Sequence, residues 1–311
     1  MDKKVVIIGA SNIDIKGKSR TKTFSKTKNP GKVEFSPGGV GRNIAENLAR
    51  LGVHSTLLSV VGNEGFSDLL INSTKNAGVD VSKIKKCEEN SGIFLAIINS
   101  RGELDASISD MGIMSEITPE YIRENIDIIK ESDYMVVDAD IPDQTLLELL
   151  SISKKYSIPI CVEPVSPSRA HSIQNYMNGV TLTTPNKEEL ESLVNRQITD
   201  EKDIIDASEE LLKMGVENII ITLGSEGAYC ASKTFKGFIP SVRTMVINSV
   251  GAGDALVAGT IAGLMDCKSF EESVKIGIAC ATITITDEKA VSDKLTKEKA
   301  LGIAGKITSY I

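Results

Sequence analysis

The sequence predicts a doubly wound α/β fold, and three observations predict it. Short β-branched runs recur along the chain, each is apolar on consecutive positions, and longer segments with helical spacing lie between them. Consecutive apolar positions mark strands covered on both faces, whereas a strand with one wet face alternates. Strand and helix in alternation is the pattern of a parallel sheet flanked by helices.

Taken in order, Val5–Ile8 is the first strand. Ile44, Leu48 and Leu51 then fall on one helical face, and Gly52 is the stop. Tyr134–Val137, Ile158–Val162, Val180–Leu182 and Asn218–Leu223 read as further strands. A helix over Asp203–Met214, closed by Gly215, precedes the last of them. A β-type run at Met245–Ile247 leads through small residues into Ala255, Leu256, Ala258, Ile261, Leu264 and Met265 at helical spacing. Two stretches break the alternation. Residues 15–37 are rich in Lys, Ser, Thr and Gly, and residues 91–110 alternate through Ser91–Ile98. These segments, near 15–37 and 91–112, read either as a surface loop and an edge hairpin or as β-ribbons forming a lid. A lid would cover the sheet's C-terminal edge, where α/β proteins bind ligands. With no repeat, low-complexity tract or long linker, one domain is expected over residues 1–311.

Composition excludes several classes of function. Lys plus Arg is 35 against 42 Asp plus Glu, a formal charge of −7. A nucleic-acid surface needs the opposite field. A small anion remains admissible, because backbone N–H groups and a metal outweigh the global charge locally. Met1–Lys4 runs directly into four apolar residues, too few for a signal peptide, and no segment has the length of a membrane span. Five scattered cysteines without a CxxC pair suggest reduced thiols and a cytoplasmic setting. His54 and His171 are the only histidines, which disfavours a zinc site or a histidine-dependent triad.

The strongest chemical signal is Asn248-Ser249-Val250-Gly251-Ala252-Gly253-Asp254, running into a helix. Glycines at 251 and 253 let the backbone approach a ligand, and a helix start presents unpaired N–H groups. Gly251, Ala252 and Gly253 would form an anion hole with the Asp254 carboxylate at its rim. Phosphoryl transfer needs that pairing: donors for the charge on the transferring group, and a base for the attacking hydroxyl's proton. A glycine turn with Asp254 as a helix cap reads equally well in isolation. Neither a GxxxxGK[ST] loop nor a GxGxxG after the first strand occurs.

Weaker signals accompany it. Ser36-Pro37-Gly38-Gly39-Val40-Gly41-Arg42-Asn43 suits close approach to a polyhydroxy ligand, a lid hinge, or a plain loop–helix junction. Ser11-Asn12-Ile13-Asp14 follows the first strand, where Asp14 could accept from two ligand hydroxyls or serve a turn. Asn186 and Glu189 could support a Mg²⁺–water–phosphate shell, or simply start a helix. Thr222-Leu223-Gly224-Ser225-Glu226-Gly227 permits backbone contact with phosphates, or is just a turn.

Together these strings resemble the ribokinase-like (PfkB) sugar and nucleoside kinases, in that family's order and approximate spacing along essentially the whole chain. Within the family, Asn29-Pro30-Gly31-Lys32, Phe35–Ala45, Ser109-Asp110-Met111 and Glu163-Pro164-Val165-Ser166 are similar to its pseudouridine kinases. The resemblance implies a three-layer α/β/α sandwich with a mostly parallel sheet and a small β-sheet lid. It implies transfer of the ATP γ-phosphoryl group to a nucleoside 5′-hydroxyl with Asp254 as base. Asn12, Asp14, Gly38, Gly39 and Asn43 would hold the ribose, with Asp110 reaching in from the lid. Asn186, Thr222, Gly224 and Gly227 would serve ATP, and Glu189 would serve Mg²⁺ through water. It also allows a homodimer through the lid. Asn248 stands where many members have an Asp that helps bind K⁺, which weakens the case for a K⁺ requirement. Phe35 and Phe94 are the aromatic candidates for packing on a base, or else lid core. A kinase for another ribonucleoside or for ribose, and a non-catalytic sugar-binding regulator, are the alternatives.

Overall fold

The computed structural model describes residues 3–23 and 27–310. Residues 24–26 of the first expected lid segment, and Met1, Asp2 and Ile311, lie outside the described residues. In chain order the strands are β1 (Lys4–Ile8), β2 (Asn12–Ser19), β3 (Gly31–Gly38), β4 (His54–Leu58), β5 (Val60–Val61), β6 (Lys85–Lys86), β7 (Gly92–Ile98), β8 (Leu104–Asp110), β9 (Tyr134–Asp138), β10 (Ile160–Glu163), β11 (Leu182–Thr183), β12 (Asn218–Thr222), β13 (Ala228–Ser232) and β14 (Lys236–Ile239).

The main sheet has eight strands in the order β14-β13-β12-β11-β10-β9-β1-β4. The strands from β4 to β12 are mutually parallel, and β13 and β14 close the far edge as an antiparallel hairpin. Val5 and Ile7 point into one core, with helices Val40–Arg50, Ala252–Met265 and Phe270–Ile285. Val6 and Ile8 point into the other, with helices Asp143–Tyr156, Lys187–Leu193 and Glu201–Lys213. Consecutive apolar positions are thus each buried, on opposite faces, and each large side chain contributes about 1.5–3 kcal/mol. Helix Ala252–Met265 is apolar all round because it lies between the sheet and helix Phe270–Ile285. The two helices approach so closely that a Cβ on Gly259 would lie 2.8 Å from Gly277 Cα.

The two lid stretches form one four-stranded sheet, β3-β2-β7-β8, with β2 and β7 paired in parallel. The register aligns Ser36, Asp14, Phe94 and Ser109 in one row and Phe35, Ile15, Leu95 and Ile108 in the next. Side chains alternate across a strand, so these rows face opposite sides. The Ile15 side packs on helix Gly65–Asn76, where Ile13 meets Val61 and Leu70 and Phe35 stacks on Phe66. The Asp14 side faces the main sheet's C-terminal edge.

One expectation fails. Met245–Ile247 forms no strand; its side chains are exposed, and the Ile247 N–H donates to the Ile285 carbonyl at 2.8 Å. Among the described residues no strand lies beside it to pair. Smaller shifts have local causes: β10 starts after Pro159, which has no N–H to give the ladder. The free thiols of Cys87, Cys161, Cys230 and Cys280 are buried and that of Cys267 is exposed. Among the described residues no helix is long and apolar enough to cross a membrane.

Candidate active site

The chain runs from β1 outward to β4 and returns on the other side as β9, so strand order reverses at β1. Such a reversal opens a crevice at the strands' C-terminal ends. Asp138, the last residue of β9, ties this crevice together. One carboxylate oxygen accepts the N–H of Ala10 at 2.9 Å and of Gly41 at 3.3 Å, and the other accepts that of Asp140 at 2.9 Å. It is fully buried. Sequence reasoning missed Asp138; its signal was a carboxylate ending a central strand.

Helix Ala252–Met265 brings Asp254 to this crevice. Gly251 precedes it in the left-handed conformation (φ 81°), and a Cβ there would lie 2.0 Å from the Ala290 carbonyl oxygen. Only glycine fits, and the turn leaves the N–H groups of Gly253 and Asp254 without intrahelical acceptors. Space beside Gly253 is open: a Cβ added there would meet nothing within 4 Å. The Asp254 carboxylate accepts the Asn43 amide N–H at 2.7 Å. Burial pushes its pKa up to about 7, against the Asn43 hydrogen bond and the Arg42 charge and with help from Asp138 and Asp14. A carboxyl titrating there is matched to proton transfer at neutral pH.

Asn43 comes from helix Val40–Arg50, which starts at Gly39 (φ 101°), where a Cβ would lie 2.3 Å from the Ala10 carbonyl oxygen. Opposite stand Asn12 and Asp14 at the root of β2, both buried, joined by an Asn12 amide to Asp14 carboxylate hydrogen bond of 2.8 Å. Burial raises the Asp14 pKa, partly offset by that bond and by Lys16 and Arg42. Gly38 leaves room for the Asp14 carboxylate, 2.4 Å from where its Cβ would be. Asn12, Asp14, Gly38, Gly39, Asn43 and Gly251–Asp254 therefore meet around one polar hollow beneath the lid. Asp110 does not join them. It pairs with Ile93, on the lid face opposite Asp14, and turns toward the Gly112 N–H. Ser109 takes the place in the row that Asp110 was expected to fill.

The other expected residues gather one or two strands away. Asn186 caps helix Lys187–Leu193 in a reciprocal box with Glu189, each backbone N–H donating to the other's side chain at 2.9 Å. Asn186 also bridges Thr222 beside it. Asn186, Thr222 and Gly224 line an open groove of about 680 Å³, and Gly227 closes the turn by accepting the Leu223 N–H. Glu163, ending β10, links the two groups: burial and then the Glu189 charge raise its pKa well above the usual carboxylate range, and Asp254 and Asp138 add to this. It accepts the Thr184 hydroxyl. Burial also raises the Glu189 pKa. Oxygen-only donors resisting negative charge suit a hard cation such as Mg²⁺. Among the described residues no three His, Cys, Asp or Glu side chains are gathered to hold a metal directly. Glu163 and Glu189 offer carboxylate oxygens of the kind such an ion takes. The corner near Asn248 does not fit K⁺. The Asn248 amide donates to the Glu288 carbonyl at 2.8 Å and accepts the Val250 N–H at 3.1 Å, so an N–H group sits where a cation needs oxygen.

A half-buried carboxylate beside an open helix start, facing a polar hollow under a lid, suits phosphoryl transfer to an alcohol group. The chain matches the pfkB family of carbohydrate kinases over residues 2–297 and belongs to it. It is 33% identical to the pseudouridine kinase of Escherichia coli over 286 residues, 91% of each chain. It is 29% identical to the guanosine-inosine kinase of Exiguobacterium acetylicum over 297 residues, 94% of this chain and 98% of that one. The ribokinase structure of Thermotoga maritima superposes with a TM-score of 0.84 and 27% identity, covering 98% of this chain and 100% of that one. Family and fold thus make it a sugar or nucleoside kinase, with the ribokinase-like three-layer architecture.

Proposed function

We propose that the protein transfers the γ-phosphoryl group of ATP to the 5′-hydroxyl of free pseudouridine, giving pseudouridine 5′-phosphate and ADP. The observation that carries this reading is the Asn43–Asp254 contact at 2.7 Å, at the open helix start and across from the Asn12–Asp14 pair. Asn12 and Asp14 hold ribose hydroxyls, with the Gly38–Gly39 backbone closing against the sugar. That leaves the 5′-hydroxyl at Asp254, which takes its proton. The N–H groups following Gly251 receive the transferring phosphoryl group. ATP lies along the groove of Asn186, Thr222 and Gly224, with Gly227 shaping its turn. Glu189, with Glu163 beside it, supports Mg²⁺ through water; the ion, when bound, neutralises charge on the phosphates.

Similarity to the Escherichia coli enzyme and the lid row together favour pseudouridine. Phe94 is half-buried, belongs to none of the hydrophobic cores, and shares a row with Asp14, so its ring is placed to stack on a base above the sugar. Ser109 stands beside it on β8, and Ser36 stands on the far side of Asp14 on β3, with hydroxyls for the ring edges. Phe35 is excluded from that role, because it stacks on Phe66 on the far face. The whole chain acts as one kinase domain whose lid excludes water on closure. Exposed Val33, Phe35 and Ile108 on the lid's outer face suit a homodimer of this chain. The buried free thiols suit the cytoplasm.

The test follows ADP release with Mg-ATP and pseudouridine, uridine, adenosine, inosine, ribose or fructose. Preference for pseudouridine supports the reading. Preference for inosine or ribose keeps the kinase chemistry and overturns the acceptor, and ligand binding without turnover supports a regulator instead.

A further inference from the structure

Arg42 lies in the first turn of helix Val40–Arg50 and is only 3% exposed. A buried guanidinium must place its five N–H donors. Nη1 donates to Glu46 Oε2 at 2.6 Å, and Glu46 is held in turn by Arg50 at 2.8 Å. That part stabilises the helix. The other donors turn to the lid root and to Asn43. Nε donates to the Gly38 carbonyl at 3.1 Å, and Nη2 to the Pro37 carbonyl at 3.2 Å and to Asn43 Oδ1 at 2.8 Å.

These three contacts bear on the chemistry. With Oδ1 of Asn43 engaged by Arg42, the amide has one orientation, and Nδ2 points to the Asp254 carboxylate at 2.7 Å. The flipped amide would set oxygen against oxygen. Pro37 and Gly38 are the last residues of β3 and pair with Ile13 and Asn12, one step from Asp14. A single side chain therefore grips the partner of the base and the root of the lid.

We propose that Arg42 is a positioning residue that orients Asn43 toward Asp254 and couples the base to the lid's return strand. The proposal rests on Asp254 being the base and is independent of which acceptor is phosphorylated. A planar fork is required, because a lysine could replace the charge toward Glu46 but not span Asn43 and two carbonyls. The charged groups acting on Asp254 are Asp14 from the lid, Asp138 from β9, Glu163 from β10 and Arg42 itself. Arg42 is the cation among them, so its loss makes Asp254 hold its proton more tightly.

The experiment compares wild type, Arg42→Lys and Arg42→Gln with the acceptor found in the substrate panel, reading kcat, both KM values, the pH profile of kcat/KM and Tm. The kcat of both variants should fall on the order of tenfold to a hundredfold, the usual cost of slight misplacement, with the KM for ATP nearly unchanged. The acid limb of kcat/KM should move to higher pH in Arg42→Gln and less in Arg42→Lys, which keeps the charge. A folded Arg42→Gln with the wild-type kcat and acid limb overturns the proposal. So does a loss confined to Tm, which would leave Arg42 a helix-stabilising residue only. Asp254→Asn is run alongside: if it keeps the wild-type rate and acid limb, the base assignment fails and takes this proposal with it.

Discussion

Replacing Asp254 by Asn is the most informative single change, because activity and stability should move in opposite directions. The substitution keeps volume and leaves a group that Asn43 still reaches, but it cannot take a proton. A positioned general base contributes about 10²–10⁴ in rate, so kcat should fall on the order of 10³-fold, roughly 4 kcal/mol of transition-state stabilisation. The KM for ATP should change little, since the groove proposed for the nucleotide lies toward β11 and β12. In the wild type, kcat/KM should rise with pH through about 7, where burial places the Asp254 pKa. The variant's residual rate should lose that limb. Stability follows from the same shift. Folding raises this carboxyl's pKa above 3.8, so the folded chain holds a proton the unfolded chain has released. The stability this group contributes is present at low pH and is lost as pH rises through about 7. Asp254→Asn removes that loss, so its Tm should exceed the wild-type value at pH 8.5, with the gap closing toward pH 5. Steady-state kinetics and differential scanning fluorimetry across pH read both. A variant that keeps its rate within tenfold and retains the wild-type acid limb would refute the assignment of the base.

Three further outcomes are expected. Phe94→Leu should raise the KM for pseudouridine roughly tenfold, since base–aromatic stacking is worth about 1–3 kcal/mol, while leaving the KM for ATP alone; Phe94→Tyr should restore it. Wild-type initial rates should be equal in KCl and NaCl, and Asn248→Asp should gain stimulation by K⁺; strong K⁺ activation of the wild type would contradict the reading of the Asn248 amide. Ile108→Lys should shift the protein from dimer to monomer in sedimentation velocity without changing kcat, and a wild-type monomer at assay concentration would remove the lid interface.

The doubly wound sheet was legible because burial on both faces writes itself locally as consecutive apolar residues, as in Val5–Ile8. The small-residue string at Gly251–Asp254 was legible for a similar reason: the left-handed turn and the close Ala290 carbonyl admit only glycine at 251. Met245–Ile247 misled because β propensity is local and a strand needs a neighbour, which the path from β14 to helix Ala252–Met265 does not supply. Asp138 stayed hidden because two of its three N–H partners, Ala10 and Gly41, come from distant segments that only the folded topology gathers. Register explains the lid errors. Phe35 and Phe94, or Ser109 and Asp110, are equivalent candidates in the sequence, and only the β2–β3, β2–β7 and β7–β8 pairings decide which side chain shares the face of Asp14. Arg42 passed as one letter of a glycine-rich string, since its partners at Pro37, Gly38 and Asn43 become a fork only when helix Val40–Arg50 meets the lid root.

One competition reads the identity of the acceptor. Equimolar pseudouridine and uridine are mixed with limiting Mg-ATP and the purified protein, and the phosphorylated products are separated by chromatography and located by ³¹P NMR. Pseudouridine 5′-phosphate should form in large excess over uridine phosphate, and Asp254→Asn should form it on the order of 10³-fold more slowly. Equal phosphorylation of both nucleosides, or phosphate placed on another hydroxyl, would contradict the proposed acceptor.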